Sequence, residues 1–137
     1  MQWQRDSFSR TAKVNDMNPG LEAPKPEIVV YAIQNSVPKD IIREVLLGIE
    51  EEGLPYKQET TKNQITAEDL AYKAAESSHL GVGIGIDQHQ IVLHYIKLRG
   101  GKPLFSISTN EDEEHLRAIG ANAARVVKHM PFKMLEA

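Results

Sequence analysis

Between Leu80 and Ile86 the chain alternates without a break: Leu80, Val82, Ile84 and Ile86 are separated by Gly81, Gly83 and Gly85. Period-two alternation marks a β-strand, and here one face is apolar while the other carries no side chains. Such a strand admits another backbone or a helix at very short range. Asp87-Gln88-His89-Gln90 is a tight connection to a second strand, Ile91 to Ile96, which predicts a hairpin.

The remaining segments build around that hairpin. Ile28 to Ile33 is a short β-branched run of the kind buried on both faces of a sheet. Asn35-Ser36 offers a cap and Pro38 suits a first helical turn. Ile41, Ile42, Val45, Leu46 and Ile49 then repeat along one face of a helix that Gly53 closes in a left-handed cap. Leu54 to Thr61 reads as a strand, and Thr66-Ala67-Glu68-Asp69 resembles a capping box opening an Ala-rich helix to Ser78. Lys97 to Pro103 is a loop and Leu104 to Ser108 a fifth strand. Asn110 is placed to cap a last helix whose buried face is Leu116, Ile119, Ala123, Val126 and Val127, with Pro131 ending it. The order β-α-β-α-β-β-β-α, with helix crossovers first and a hairpin later, predicts an α/β domain: a five-stranded mixed sheet with helices packed on it.

Composition bounds the function. The chain has 137 residues, no cysteine, 16 Lys and Arg against 19 Asp and Glu, and a pI near 5.9. Thiol chemistry and cysteine-based metal sites are excluded, and an acidic balance argues against a domain driven onto nucleic acid by phosphate neutralisation. No apolar run approaches the roughly 18 residues of a membrane span. Residues 1–26 are polar, hold Pro19, Gly20, Pro24 and Pro26, and scatter Trp3 and Phe8 without a period; they read as a flexible tail before a domain at 27–137. With acid and amide where a signal peptide needs an apolar stretch, the expected location is the cytoplasm.

Motifs for catalysis are weak. Gly81, Gly83 and Gly85 lie inside a strand and lack the G-x-G-x-x-G spacing that brings backbone N–H groups to a pyrophosphate. Arg99-Gly100-Gly101-Lys102 is no Walker loop. The five histidines (79, 89, 94, 115, 129) show no metal spacing. Asp87 and His89 are left as a turn contact or, less readily, a metal pair. One feature breaks a rule: Glu50, Glu51 and Glu52 crowd the C-terminal turn of the first helix, where the macrodipole favours cations. Either they splay into water, or one or more carboxylates meet a cation, a metal or a partner's basic residue. In the last helix, Gly120, Ala121, Ala123 and Ala124 invite close packing. Asn122, Arg125, Lys128 and His129 lie on or beside its polar side.

The stretch Arg43 to Tyr56, with Glu44 and the E-E-E segment, closely resembles the first helix of the small subunit of diol and glycerol dehydratase-reactivating factors. So do Ala74 to Ser78, Val82 to Tyr95, Pro103-Leu104-Phe105, and Gly120 to Phe132 with Asn122 and Arg125. The blocks run in register from about residue 28 to 135. The resemblance implies a three-layer α/β/α domain, similar to the medium subunit of the cobalamin-dependent dehydratases and to the anticodon-binding-domain fold. It also implies a non-catalytic role. The small subunit would pair with a large actin-fold ATPase subunit, which hydrolyses ATP. It would exchange with the dehydratase medium subunit so that damaged cobalamin can leave. In the family a glutamate of the E-E-E segment helps ligate a divalent metal, Mg or Ca, at the interface with the large subunit. Glu51 is the position this carries onto, with Glu50 and Glu52 not excluded.

Arg43, Glu44, Glu50, Glu51, Glu52, Asn122 and Arg125 are therefore the expected partner-binding positions. The isolated chain is expected to hold no cofactor and to be able to self-associate through its vacant face. The cytoplasm or a bacterial microcompartment would be the setting. The long leader also suits a dehydratase medium subunit, but the chain stops soon after Phe132 and the insertions expected to contact cobalamin are missing, which favours the reactivase subunit. Two rivals come from other classes: a nucleic-acid-binding module on an anticodon-domain-like fold, and a small hydrolase or isomerase using Asp87 and His89.

Overall fold

A computed structural model describes residues 25–97 and 102–133. The expected tail to residue 24 and the tip of the 97–103 loop lie outside the described residues. The order is β1 (Ile28–Ile33), α1 (Lys39–Glu51), β2 (Tyr56–Thr61), α2 (Ala67–Ser77), β3 (Val82–Ile86), β4 (Gln90–Tyr95), β5 (Phe105–Ser108) and α3 (Glu113–Lys128). The strands form one sheet in the order β2-β1-β3-β4-β5. β1 pairs parallel with β2 and β3, and β4 runs antiparallel to both β3 and β5, the one reversed strand that the hairpin predicts. α1 and α3 cover one face and α2 the other, giving the three-layer α/β/α architecture.

The glycine face of β3 is the seat of α2. A Cβ on Gly83 would lie 2.6 Å from the Ala74 carbonyl carbon, and one on Gly85 would lie 2.8 Å from the Leu70 Cβ. Ala67, Ala71, Ala74 and Ala75 answer from the helix, all buried, so the two backbones meet with only methyl groups between them. The opposite face of β3 sends Val82, Ile84 and Ile86 into the main core with Val45, Ile49, Leu116 and Ile119.

On that side α1 and α3 run parallel and touch through glycine. A Cβ on Gly48 would strike the Arg117 carbonyl and sit 2.9 Å from the Ala121 nitrogen. One on Gly120 would strike the Val45 carbonyl and come within 3.3 Å of the Ile49 nitrogen. The small residues of the last helix thus serve two surfaces: Gly120 lies on α1, while Ala123 and Ala124 join the core.

Several boundaries differ from the expectation. α1 starts with Pro38 at the N-cap, with no side-chain cap; Asn35 is instead in a left-handed turn at φ 64°. Thr66 does cap α2, its hydroxyl accepting the Asp69 N–H at 3.1 Å. α3 is capped by Asp112 and not Asn110, because the Asp112 carboxylate reaches the His115 N–H at 3.0 Å while Asn110 is held in the turn by Ser108. It ends at Lys128 with His129 left-handed at φ 57°, before Pro131 is reached. Gly53 at φ 82° closes α1 as expected. Gly81, at φ 77°, belongs to the turn before β3, where its N–H is donated to the Ser78 carbonyl. Val127 is only half-buried.

Gly120→Ala tests the α1–α3 contact. Helix propensity alone would favour alanine by about 1 kcal/mol. The added methyl meets backbone atoms that cannot rotate away, and overpacking of this kind costs about 1–3 kcal/mol. Chemical denaturation should show a net loss of stability; a gain would mean that the helices are not in backbone contact.

Candidate functional site

The acidic end of α1 is compensated from α3. Parallel helices bring both C-terminal ends together, and the pairs Glu44–Arg117 and Glu52–Arg125 share one sequence offset of 73. Arg117 Nε donates to Glu44 at 2.6 Å, and Glu44 is buried. Arg125 donates to Glu52 at 3.0 Å, and Lys128 donates to the same carboxylate at 2.9 Å and to the Glu52 carbonyl at 2.8 Å. The cation that α1 lacks in its own last turn is supplied by its neighbour. These hydrogen bonds, from Lys128 first and then Arg125, hold the Glu52 carboxyl below its ordinary pKa.

The three consecutive glutamates therefore have different fates. Glu52 is locked inside the domain. Glu50 accepts the Tyr56 hydroxyl at 2.7 Å, which raises the tyrosine pKa. Glu51 is half exposed and accepts no hydrogen bond among the described residues; its nearest cation is Arg117, 3.7 Å away. It lines an open cleft of about 720 Å³ with Glu113, Glu114, Arg117, Phe132 and Lys133. Among the described residues no cluster of three His, Cys, Asp or Glu side chains could hold a metal ion. A hard divalent cation needs six or more oxygens, or retained waters, more than the Glu51 carboxylate alone offers.

Besides Glu44 and Glu52, two more of the expected partner-facing residues bond within the domain. Asn122 is buried, its amide donating to the Lys133 carbonyl at 3.1 Å and accepting the Lys133 N–H at 2.7 Å. It straps the segment after α3 to the helix. Arg125 is mostly buried between Glu52 and the Pro131 carbonyl, to which it donates at 3.0 Å. Arg43 is exposed and paired loosely with Asp40 at 3.5 Å. Arg117 is the residue that sequence reasoning missed. Its signal was available: Arg117, Arg125 and Lys128 share one helical face, as do Glu44, Glu51 and Glu52 on α1.

Asp87 is a turn contact. One carboxylate oxygen accepts the N–H groups of His89 and Gln90 at 2.7 and 2.8 Å, and the other accepts the Ala67 N–H at 2.9 Å. These backbone donors keep its carboxyl below its usual pKa against the opposing effect of burial. Every oxygen is committed to the fold, and His94, five residues beyond His89, is buried in T-shaped contact with Tyr72.

A family model described as dehydratase medium subunit matches residues 25–133. The chain is 43% identical over 113 residues to the propanediol dehydratase-reactivating factor small subunit of Salmonella typhimurium, covering 82% of this chain and 94% of that one. It is 47% identical over 94 residues to the diol dehydratase-reactivating factor small subunit of Klebsiella michiganensis, covering 68% and 74%. Among solved structures, diol dehydratase-reactivating factor complexed with ADP and Mg2+ superposes with a TM-score of 0.72 at 40% identity. The match covers 82% of this chain and all of the other. Glycerol dehydratase reactivase gives 0.77 at 30%, with the same coverage. None of these relatives favours a nucleic-acid module or the dehydratase's own medium subunit. The chain belongs to the dehydratase medium-subunit family, and within it to the small subunits of diol and glycerol dehydratase-reactivating factors.

Proposed function

We propose that this chain is the non-catalytic small subunit of a factor that reactivates an adenosylcobalamin-dependent diol or glycerol dehydratase. Its partner is a large actin-fold subunit that hydrolyses ATP, and the client is the dehydratase itself. The observation that carries the reading is the in-register match to reactivating-factor small subunits over most of both chains. The medium-subunit family match supports an exchange mechanism. A domain shaped like the dehydratase medium subunit can take that subunit's place, opening the cobalamin site long enough for a damaged cofactor to leave. The work asked of this chain is shape and release.

Docking uses the C-terminal end of α1. Glu51 offers exposed charge there and Arg43 two turns earlier on the same helix, while Glu44, Glu52, Arg117 and Arg125 hold the surface in shape from beneath. Glu51 presents a carboxylate to Mg or Ca at the interface, and the large subunit provides the remaining oxygens. Glu50, bonded to Tyr56, and the committed Glu52 are poorer candidates. The cytoplasm, or a microcompartment that houses the client enzyme, is the proposed setting.

Size exclusion of this chain with its cognate large subunit at micromolar concentration should give a stable complex; two separate peaks would reject the assignment. Glu51→Ala should weaken assembly at least about tenfold in divalent metal, equivalent to about 1.4 kcal/mol, with an unchanged circular dichroism spectrum. Chelation should weaken the wild type and leave the variant unaffected. Equal binding by both proteins would remove Glu51 as ligand.

Glu52→Gln should act on the fold. Losing charge-assisted bonds to Arg125 and Lys128 should cost about 1–3 kcal/mol at neutral pH. Because the folded-state pKa lies below the ordinary 4.5, this stabilisation is present above that value and disappears as pH falls through the folded pKa. Denaturation curves from pH 7 down to 3 should converge for wild type and variant. A constant gap would assign the loss to packing.

A further inference from the structure

β2 ends the sheet, and among the described residues no strand pairs with its outer side. Two bonds at its ends fix the phase of its backbone. Ile28 donates its N–H to the Pro55 carbonyl at 3.1 Å and Gln34 donates to the Thr61 carbonyl at 2.7 Å. Strand residues alternate in direction with period two, so Lys57 and Glu59 turn their backbone groups to β1. The N–H and C=O of Tyr56, Gln58 and Thr60 are left facing outward.

We infer that this edge recognises a second copy of the same chain: β2 pairs antiparallel with β2 of its partner about a two-fold axis at Gln58, joining two sheets into one. Three observations support that register. Centred on Gln58, each outward N–H and C=O of Tyr56, Gln58 and Thr60 meets a complementary group. Centring on Lys57 or Glu59 leaves some unpaired. Second, Lys57 falls opposite the partner copy's glutamate at position 59, and the reverse, in the non-hydrogen-bonded positions where side chains approach most closely. The two alternative axes would instead set lysine against lysine or glutamate against glutamate. Lys57 and Glu59 already pair at 2.9 Å within one copy and are about half exposed, so the charges form a square across the axis. Third, the groove beside the edge is lined by Ile42, Leu46 and Leu47 of α1 with Tyr56 and Gln58, and by the charged Lys39, Arg43 and Glu50. The two-fold brings both such grooves together, covering apolar side chains that are only half buried in one copy. Charges on an edge strand ordinarily discourage pairing; here their order permits one register and penalises its neighbours.

Sedimentation velocity on the full chain across a concentration series should show a monomer–dimer equilibrium. Lys57→Glu and Glu59→Lys should each raise the dimer dissociation constant at least about tenfold, and the double swap should restore it. Gln58→Pro should remain folded by circular dichroism, because that N–H faces outward, and should be monomeric. The chain has no cysteine, so Gln58→Cys provides a clean geometric readout. Facing Cα atoms about 5.5 Å apart suit a disulfide, whereas Thr60→Cys would stand roughly 14 Å from its own copy. Mild oxidation should cross-link the first and spare the second. A chain that stays monomeric throughout, a dimer indifferent to the charge swaps, or equal cross-linking of both cysteine variants would overturn the proposal. So would a Lys57→Glu variant that loses only the large subunit, since the edge would then belong to that partner.

Discussion

The architecture depends on two helices meeting at backbone distance. Gly48 and Gly120 leave no side chain between α1 and α3, and each faces a carbonyl of the other helix. With the helices that close and parallel, their C-terminal dipoles add on one side, an arrangement that is unfavourable unless positive charge collects there. Arg125 and Lys128 provide it, and Glu52 then sits among cations that it helps to hold. Packing comes first in this chain of causes, and the charge pattern follows from it.

That order explains which parts were legible in the sequence. The Gly-Val-Gly-Ile-Gly alternation announced a surface for close approach, and α2 occupies it with alanines. The hairpin, the one reversed strand and the Gly53 cap were equally visible, because each is a local property of a few neighbouring residues. The first and last helix starts were not: Asn35 and Asn110 had the right chemistry for caps, yet Pro38 and Asp112 occupy those places. Cap choice depends on where the preceding strand delivers the chain, which composition does not encode.

The acidic turn was legible as an anomaly but not as a solution. Three glutamates at a helix C-terminus require cations, and nothing local states whether those come from water, a metal, a partner or another helix. The answer divides within three residues. Glu52 is answered by α3, Glu50 by a tyrosine hydroxyl, and Glu51 is left facing a cleft. Asn122 shows the same limit in reverse: a polar residue in the last helix bonds the backbone of Lys133, a contact that no local pattern announces.

Asp87 carries a consequence for what this sheet can do. In open α/β sheets, ligands settle where the strand order reverses, beside the carboxyl ends of the strands and the start of a helix. In this chain that crevice lies between β1 and β3, at the first turn of α2. The helix's leading amide already holds an aspartate from the adjoining turn. An incoming phosphate would find its seat taken by a tethered anion that cannot diffuse away, so the scaffold common to nucleotide-binding proteins is here plugged by its own chain.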